Sequence, residues 1–387
     1  MLTKQTRHIA LIVAFLAVIV GVPFAQAVLE VARGERPSVL DLFRRVPSEA
    51  NLRAFESDLE KTSWFETRTR PWMQLAQFLA LEEGGDDAIL GREDWWFYRP
   101  DVRYLIDAPA KSVTRAGPTD HAAKAAPPAD DPVPAIVSFR DQLAARGIHL
   151  LVVPAPGKPS VYPEMLTTRA ATYPESINPH TIDLIARLRA EGVEVVDLFD
   201  VYARATPEDV AWYLSQDSHW APEGMHLAAS AVAQRLIELG WAARGTRSYA
   251  GRPAPVERIG DVPAMIQAPW VSRLITPEIA HCVQVVDQAT GQPYQDDPQA
   301  EILVLGDSFL RIYQTDEPLS AGFIAHLALE LHAPMASIVN DGGASTLVRQ
   351  QLARKPELLA GKKVVVWEFV ERDIRFGIEG WQIIQQP

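Results

Sequence analysis

The stretch "EILVLGDSFL" (301–310) runs four aliphatic residues into Gly306 and Asp307 and then presents Ser308. A hydroxyl on a tight turn after a buried strand projects from the sheet edge at the start of a helix, where backbone N–H groups can also receive an oxyanion. The same residues suit a helix cap, because Asp and Ser both accept hydrogen bonds from first-turn N–H groups. Alone, the segment fits either a nucleophile or a cap.

A serine hydroxyl becomes a useful nucleophile only when a base takes its proton and a third group holds that base in the right tautomer. The segment "SQDSHWAPEGMHLAAS" (215–230) offers such a pair. Asp217 and His219 lie two positions apart, so in an extended loop their side chains point the same way, and Pro222 marks a helix start just behind them. Asp217 would orient His219, and a capping Asp beside a surface His is the plain alternative. Zinc is a poor fit: His226 falls inside the expected helix, seven residues from His219, and no fourth ligand is near in sequence. No metal and no cofactor are expected. His281 and Cys282 lack the surroundings of a reactive dyad.

The elements that must carry these residues follow from the hydrophobic pattern. Helices near 135–146, 179–191, 222–239 and 345–354 alternate with apolar strands at 149–155, 193–199, 301–306, 336–340 and 363–370. That alternation predicts an α/β fold with a parallel sheet covered by helices on both faces, whose ligands collect at the carboxyl ends of the strands. Residues 48–81 show helical spacing in one or two amphipathic helices, a packing face. "GREDWWFYRPDVRYL" (91–105) is aromatic and predicts a strand or hairpin against the sheet. "GPTDHAAKAAPPADDPVP" (117–134) has five prolines and almost no large apolar residue, the composition of a linker or long surface loop. No internal repeat is visible.

At 387 residues and 48% apolar composition the chain can bury a large core. A formal charge of −12 argues against nucleic acid, which wants a basic surface. A single cysteine excludes an intramolecular disulfide. Lys4, Arg7 and His8 precede an apolar run from Ile9 to Leu29, about the 20 residues needed to cross a bilayer. The basic flank favours a cytoplasmic N-terminus and an exported body. "AQA" (25–27) resembles a cleavage site, but the apolar run continues past it, which favours an uncleaved anchor. The expected organisation is a signal anchor or signal peptide over 1–29, a helical segment with the aromatic strand over 30–116 packing on the catalytic domain, the linker over 117–134, and the catalytic domain over 135–387.

Gly-Asp-Ser-Phe after a strand, with Asp-x-His-Trp elsewhere, resembles the SGNH hydrolase superfamily and most closely its alginate O-acetyltransferase branch. The likeness runs from about Leu52 onward and includes "LRAFESDLEKTSWF", "GREDWWFYRP", "VVPAPGKPSVYPEML", "DSHWAPEG", "LGDSF" and "WEFVERD". In that branch Asp and His precede Ser in the chain, as here, and triads are defined by geometry rather than order. The resemblance implies an SGNH-like fold in which Ser308 takes an acetyl group, His219 acts as base and then acid, and Asp217 supports it. Here the sequence departs from the common SGNH pattern of oxyanion residues, leaving the N–H of Ser308 and the backbone of "NDGGAS" (340–345), Gly343 in particular, as candidates. Arg311, Tyr313, Arg372, Lys158 and Tyr162 are candidate sugar contacts.

The implied function is an O-acetyltransferase at the periplasmic face of the inner membrane, or free in the periplasm if cut after Ala27. It would act on an extracellular polysaccharide. Its acetyl donor would be a multi-pass membrane acyltransferase, and other exopolysaccharide export components would be partners. Because the chain ends soon after the last strand, no separate C-terminal carbohydrate-binding module is expected, as in the anchored member of the branch. An acetyl esterase with the same triad, and a non-catalytic scaffold of an export complex, are the alternatives.

Overall fold

The structure, a computed structural model, describes residues 4–44, 46, 48–81, 83–106, 131–172, 178–205, 210–268 and 270–386. The chain divides into two compact units, Met1–Glu83 with Gln267–Val271, and Gly84–Ile266 with Ser272–Pro387.

The first unit is helical. Helix Lys4–Ala32 contains a stretch, Leu11–Ala32, of mean hydropathy 2.5 that is long and apolar enough to cross a membrane. Its polar residue Gln26 is not left unpaired: Oε1 accepts from Trp64 N at 2.8 Å, and Nε2 donates to Glu30 at 2.8 Å. Two helices follow, Glu49–Thr62 and Trp64–Leu81. Ser48 caps the first through its hydroxyl, and the break between them is Ser63, whose backbone is extended. Trp72 stacks on Trp270 with ring centroids 4.1 Å apart.

Among the described residues, the second unit carries eleven strands. Five form a parallel sheet: β3 (His149–Ala155), β4 (Glu194–Val195), β9 (Ile302–Gly306), β10 (Ala336–Val339) and β11 (Val364–Val370), in the order β10-β9-β11-β3-β4. The others form antiparallel pairs: β1 (Ala88–Leu90) with β2 (Trp96–Tyr98), β5 (Tyr249–Pro253) with β8 (Val283–Asp287), and β6 (Val256–Arg258) with β7 (Glu278–Ala280).

Alternation along the central strands makes two cores. Leu151, Val153, Val304, Val364 and Val366 face helices Pro222–Glu238 and Phe323–Leu331, while Leu150, Val152, Leu303, Leu305, Val365 and Trp367 face Pro132–Ala144, Pro179–Ala190 and Leu347–Ala353. Both faces being covered explains why these strands are continuously apolar rather than alternating.

Three expectations shift. The strand expected over 193–199 is only Glu194–Val195, because Asp197 accepts from Asp200 N and starts helix Leu198–Arg204. The aromatic stretch 91–105 is half strand: β2 pairs with β1 alone, and helix Arg99–Ile106 follows at once. Of the expected linker, 117–130 lies outside the described residues, and its last residues belong to helix Pro132–Ala144, which Asp131 caps by accepting from Val133 N.

Between the helices and the strand ends, chain 213–221 folds back on itself, with Tyr213 bridging Trp220 and Ala221 N donating to Trp212 O at 2.8 Å. Gly260 presses against this loop: a Cβ there would lie 2.1 Å from Gln216 O and 2.4 Å from Asp217 N. Only a residue without a side chain permits that approach. Gly260→Ala should therefore lower stability by about 1–3 kcal/mol, read as a fall in the denaturation midpoint of the full chain; an unchanged midpoint would mean the loop does not press there.

Candidate active site

Strand β9 ends at Gly306, and the chain turns into the short helix Ser308–Arg311. Asp307 holds that turn from both oxygens, accepting from Phe309 N at 2.9 Å and from Val370 N, on the neighbouring β11, at 3.1 Å. The capping role that the sequence allowed for this segment thus belongs to Asp307. Ser308 is left with its hydroxyl on a cleft of about 470 Å³, lined also by His219, Asp261, Arg103, Arg311, Arg372 and Gly342.

The loop 213–221 brings the rest. His219 Nε2 lies 2.8 Å from Ser308 Oγ, and His219 Nδ1 lies 2.7 Å from Asp217 Oδ1. Asp217 is fully buried and His219 and Ser308 nearly so. A buried carboxylate needs donors for both oxygens. Oδ1 accepts from the His219 ring and backbone N–H, and Oδ2 accepts from Arg258 at 2.7 Å. Burial pushes the Asp217 carboxyl up, but the hydrogen bond and charge of His219, with Arg258, more than reverse this and hold it well below the usual carboxylate range. With Asp217 ionised, Nδ1 carries the proton and Nε2 presents its lone pair to Ser308. Burial pulls the His219 imidazole down, yet Asp217 and then Asp261 outweigh it, and its net shift is upward.

The loop is anchored on every side. Lys158 Nζ donates to Leu214 O at 2.9 Å and Ser215 O at 3.0 Å, Glu278 accepts from Ser215 N and Gln216 N at 2.9 Å each, and Asp261 accepts from Ser218 N at 2.7 Å and Ser218 Oγ at 2.6 Å. Trp96 N, from the aromatic hairpin, donates to Ser215 O at 2.7 Å. Trp220 is buried against Phe309 and Phe323, with ring centroids 5.0 and 5.7 Å away, which ties the loop to the short helix that Ser308 opens.

The remaining sequence candidates divide. Arg311 and Arg372 line the cleft, and both are paired: Arg311 with Asp316 and Asp341, Arg372 with Asp101 at 3.0 Å. Three are corrected. Lys158 is fully buried under Trp95 and Phe97 and acts on the loop backbone, not on a ligand. Tyr313 is fully buried and donates to Trp220 O. Tyr162 accepts from Trp212 N and lines a different cleft, with Tyr202 and Trp212. Gly343 is corrected too, because its N–H is donated to Asn340 O at 2.9 Å. Its neighbour Gly342, at φ +65°, is the one that lines the cleft.

Arg258, Asp261 and Glu278 went unread in the sequence. They lie in "PVERIGDVPAM" (255–265) and "TPEIA" (276–280), which carry only turn and strand signals. Asp217, His219 and Asp261 each bring one ligand atom within 4.8 Å of the others, a spacing that a cation could use. Their oxygens already receive His219, Arg258 and Ser218, so the donor set is that of a hydrogen-bonded relay. His226 is turned to Glu330, 3.3 Å away.

Residues 88–371 match the family described as an SGNH hydrolase-like domain, acetyltransferase AlgX. The chain belongs to this family. Among relatives of this SGNH-like family, a probable alginate O-acetylase AlgJ of Pseudomonas putida is 24% identical over 314 residues, covering 79% of this chain and 74% of that protein. The fold is shared with the O-acetyltransferase domain of Pseudomonas putida AlgJ (TM-score 0.55, 20% identity, 75% of this chain and 92% of that one). It is shared as well with Pseudomonas aeruginosa AlgX (TM-score 0.51, 18% identity, 73% of this chain and 61% of that one).

Lys158 also makes a pH prediction. Burial lowers its amine from 10.5 to about 8, so between those pH values the unfolded chain holds a proton that the fold has released, and stability should rise with pH across that window. Lys158→Met should cost about 1–3 kcal/mol by leaving Leu214 O without its donor, and should abolish the rise. Denaturation midpoints from pH 7 to 11 test both; a variant as stable as wild type with the same pH slope would contradict this role.

Proposed function

We propose that this chain is an O-acetyltransferase that moves acetyl groups onto hydroxyls of a polysaccharide outside the cytoplasm, through an acetyl-Ser308 intermediate. The observation that carries the reading is the unbroken hydrogen-bonded line from Asp217 through His219 to Ser308, opening onto a cleft. Family membership supports the same class of chemistry.

Ser308 Oγ attacks the carbonyl of an acetyl donor while His219 Nε2 takes its proton. The tetrahedral oxyanion is received by the Ser308 N–H, at the head of its helix, and by backbone at Gly342. Collapse breaks the bond to the donor's leaving group, which takes the proton back from His219. An acceptor sugar hydroxyl then gives its proton to His219 and attacks the acetyl-serine; the second collapse releases the sugar ester and returns the proton to Ser308. Asp217 stabilises the imidazolium in both halves. Arg103, Arg311 and Arg372 are cations that line the cleft an incoming glycan would enter, and alginate, named in the relatives, is the first acceptor to test.

Helix Lys4–Ala32 supports an anchored protein on the periplasmic face of the inner membrane. Acetyl-CoA is cytoplasmic, so the donor must be delivered by a multi-pass membrane acyltransferase, with export components of the same polysaccharide as further partners.

Purified full-length protein given an acetyl ester and a defined oligosaccharide should yield acetylated sugar by mass spectrometry. Ser308→Ala should abolish this, and His219→Gln should slow it by roughly 10²–10⁴-fold. Free acetate irrespective of sugar would make the protein an esterase; neither product, with Ser308→Ala indistinguishable from wild type, would make it a scaffold.

A further inference from the structure

Two carboxylates, not one, stand beside His219 Nδ1: Asp217 Oδ1 at 2.7 Å and Asp261 Oδ2 at 3.7 Å. A guanidinium, Arg258, caps the far oxygen of Asp217 at 2.7 Å. Arg258 closes strand β6 and Asp261 opens the helical turn Asp261–Ala264, so one short segment delivers both charges. Neither can drift. Asp261 is pinned by the backbone N–H and hydroxyl of Ser218. Arg258 lies over the Tyr313 ring, its guanidinium carbon 5.4 Å from the centroid. Its Nε is buried with no hydrogen-bond partner among the described residues, an arrangement that gives up one donor yet keeps the bond to Asp217.

We propose that Arg258 and Asp261 are paired positioning residues with opposite effects on His219: Arg258 screens the charge of Asp217, and Asp261 adds a second negative charge facing the imidazolium that forms when Ser308 is deprotonated. The inference rests on reading His219 as the base. Its physical content is that proton uptake by the imidazole is set by a balance, not by Asp217 alone. Too little negative charge and the imidazolium is not stabilised; too much and the ring stays protonated and cannot act as base. The other charged groups around the site include Asp307, in the turn before Ser308, Arg372, after β11, Lys158, behind Asp217 and Asp261, and, along the cleft, Arg103, Arg311, Asp341 and Asp373. None of the test substitutions replaces them.

The test is the titration of His219 in the full chain in detergent, followed by NMR with labelled histidine and assigned by loss of the signal in His219→Gln. Asp261→Asn, nearly isosteric and partly exposed on the cleft, removes a negative charge and should move the midpoint down by about one unit. Arg258→Met removes the screen and should move it up by about one unit, whereas Arg258→Lys keeps the charge and should leave it near wild type. No shift in Asp261→Asn, shifts in the same direction for Asp261→Asn and Arg258→Met, or a Lys variant that moves as far as the Met variant would overturn the proposal. Should Arg258→Met fail to fold, the Asn and Lys variants decide alone. The titration needs neither donor nor acceptor, so failure of acetyl transfer, with the shifts intact, would count against the proposed function and not against this pair.

Discussion

A fully buried carboxylate, Asp217, is the constraint around which the rest is arranged. An uncompensated charge at that depth would be protonated or would unfold its surroundings, so both oxygens are given donors: the imidazole and backbone of His219 on one, Arg258 on the other. The same demand fixes the tautomer of His219 and therefore which nitrogen meets Ser308. In the proposed reaction structure and chemistry share one cause, because the bonds that make the carboxylate tolerable in the core are those that would make the histidine a base.

Holding that arrangement requires a rigid loop where loops are ordinarily mobile. The loop 213–221 is clamped by Lys158 from the end of β3, by Glu278 from β7, by Asp261 after β6, and by the aromatic hairpin through Trp96 N. Opposite it, the Ser308 turn rests on a second buried charge system. Arg372 is surrounded by Asp101, Asp307 and Asp373, which together raise its guanidinium against the opposing effect of burial. Glu368 beneath the turn is pushed well above the usual carboxylate range by burial and by Asp307, and it accepts from Asp307 N. The two halves of the site meet at the 2.8 Å contact between His219 and Ser308.

Much of this was legible in the sequence, and the reasons differ by residue. The central strands could be read because burial on both faces makes them uninterrupted aliphatic runs, and Ser308 because a turn at the end of such a run has a known exit. Asp217 and His219 could be read because two-residue spacing in extended chain is a local relation. Arg258 and Asp261 could not, since Arg258 reaches Asp217 from 41 positions away and Asp261 faces His219 from 42, and their own segment shows only a strand end and a turn. Lys158 and Tyr313 were misplaced for a related reason. A lysine after a strand and a tyrosine after a helix look like surface residues until the packing of Trp95 and Phe97 over the one, and of Arg258 over the other, is known. At finer grain, Gly343 gives its N–H to Asn340 O, and it is the neighbouring Gly342 that lines the cleft, a distinction between adjacent glycines that the sequence does not carry.

The most direct measurement is covalent. Full-length protein pulsed with an activated acetyl ester, quenched in acid and digested, should carry acetyl on the peptide that contains Ser308, with the label strongly reduced when His219 is glutamine. Acetyl found only on other residues, or equal labelling of Ser308 with and without the imidazole, would contradict the account.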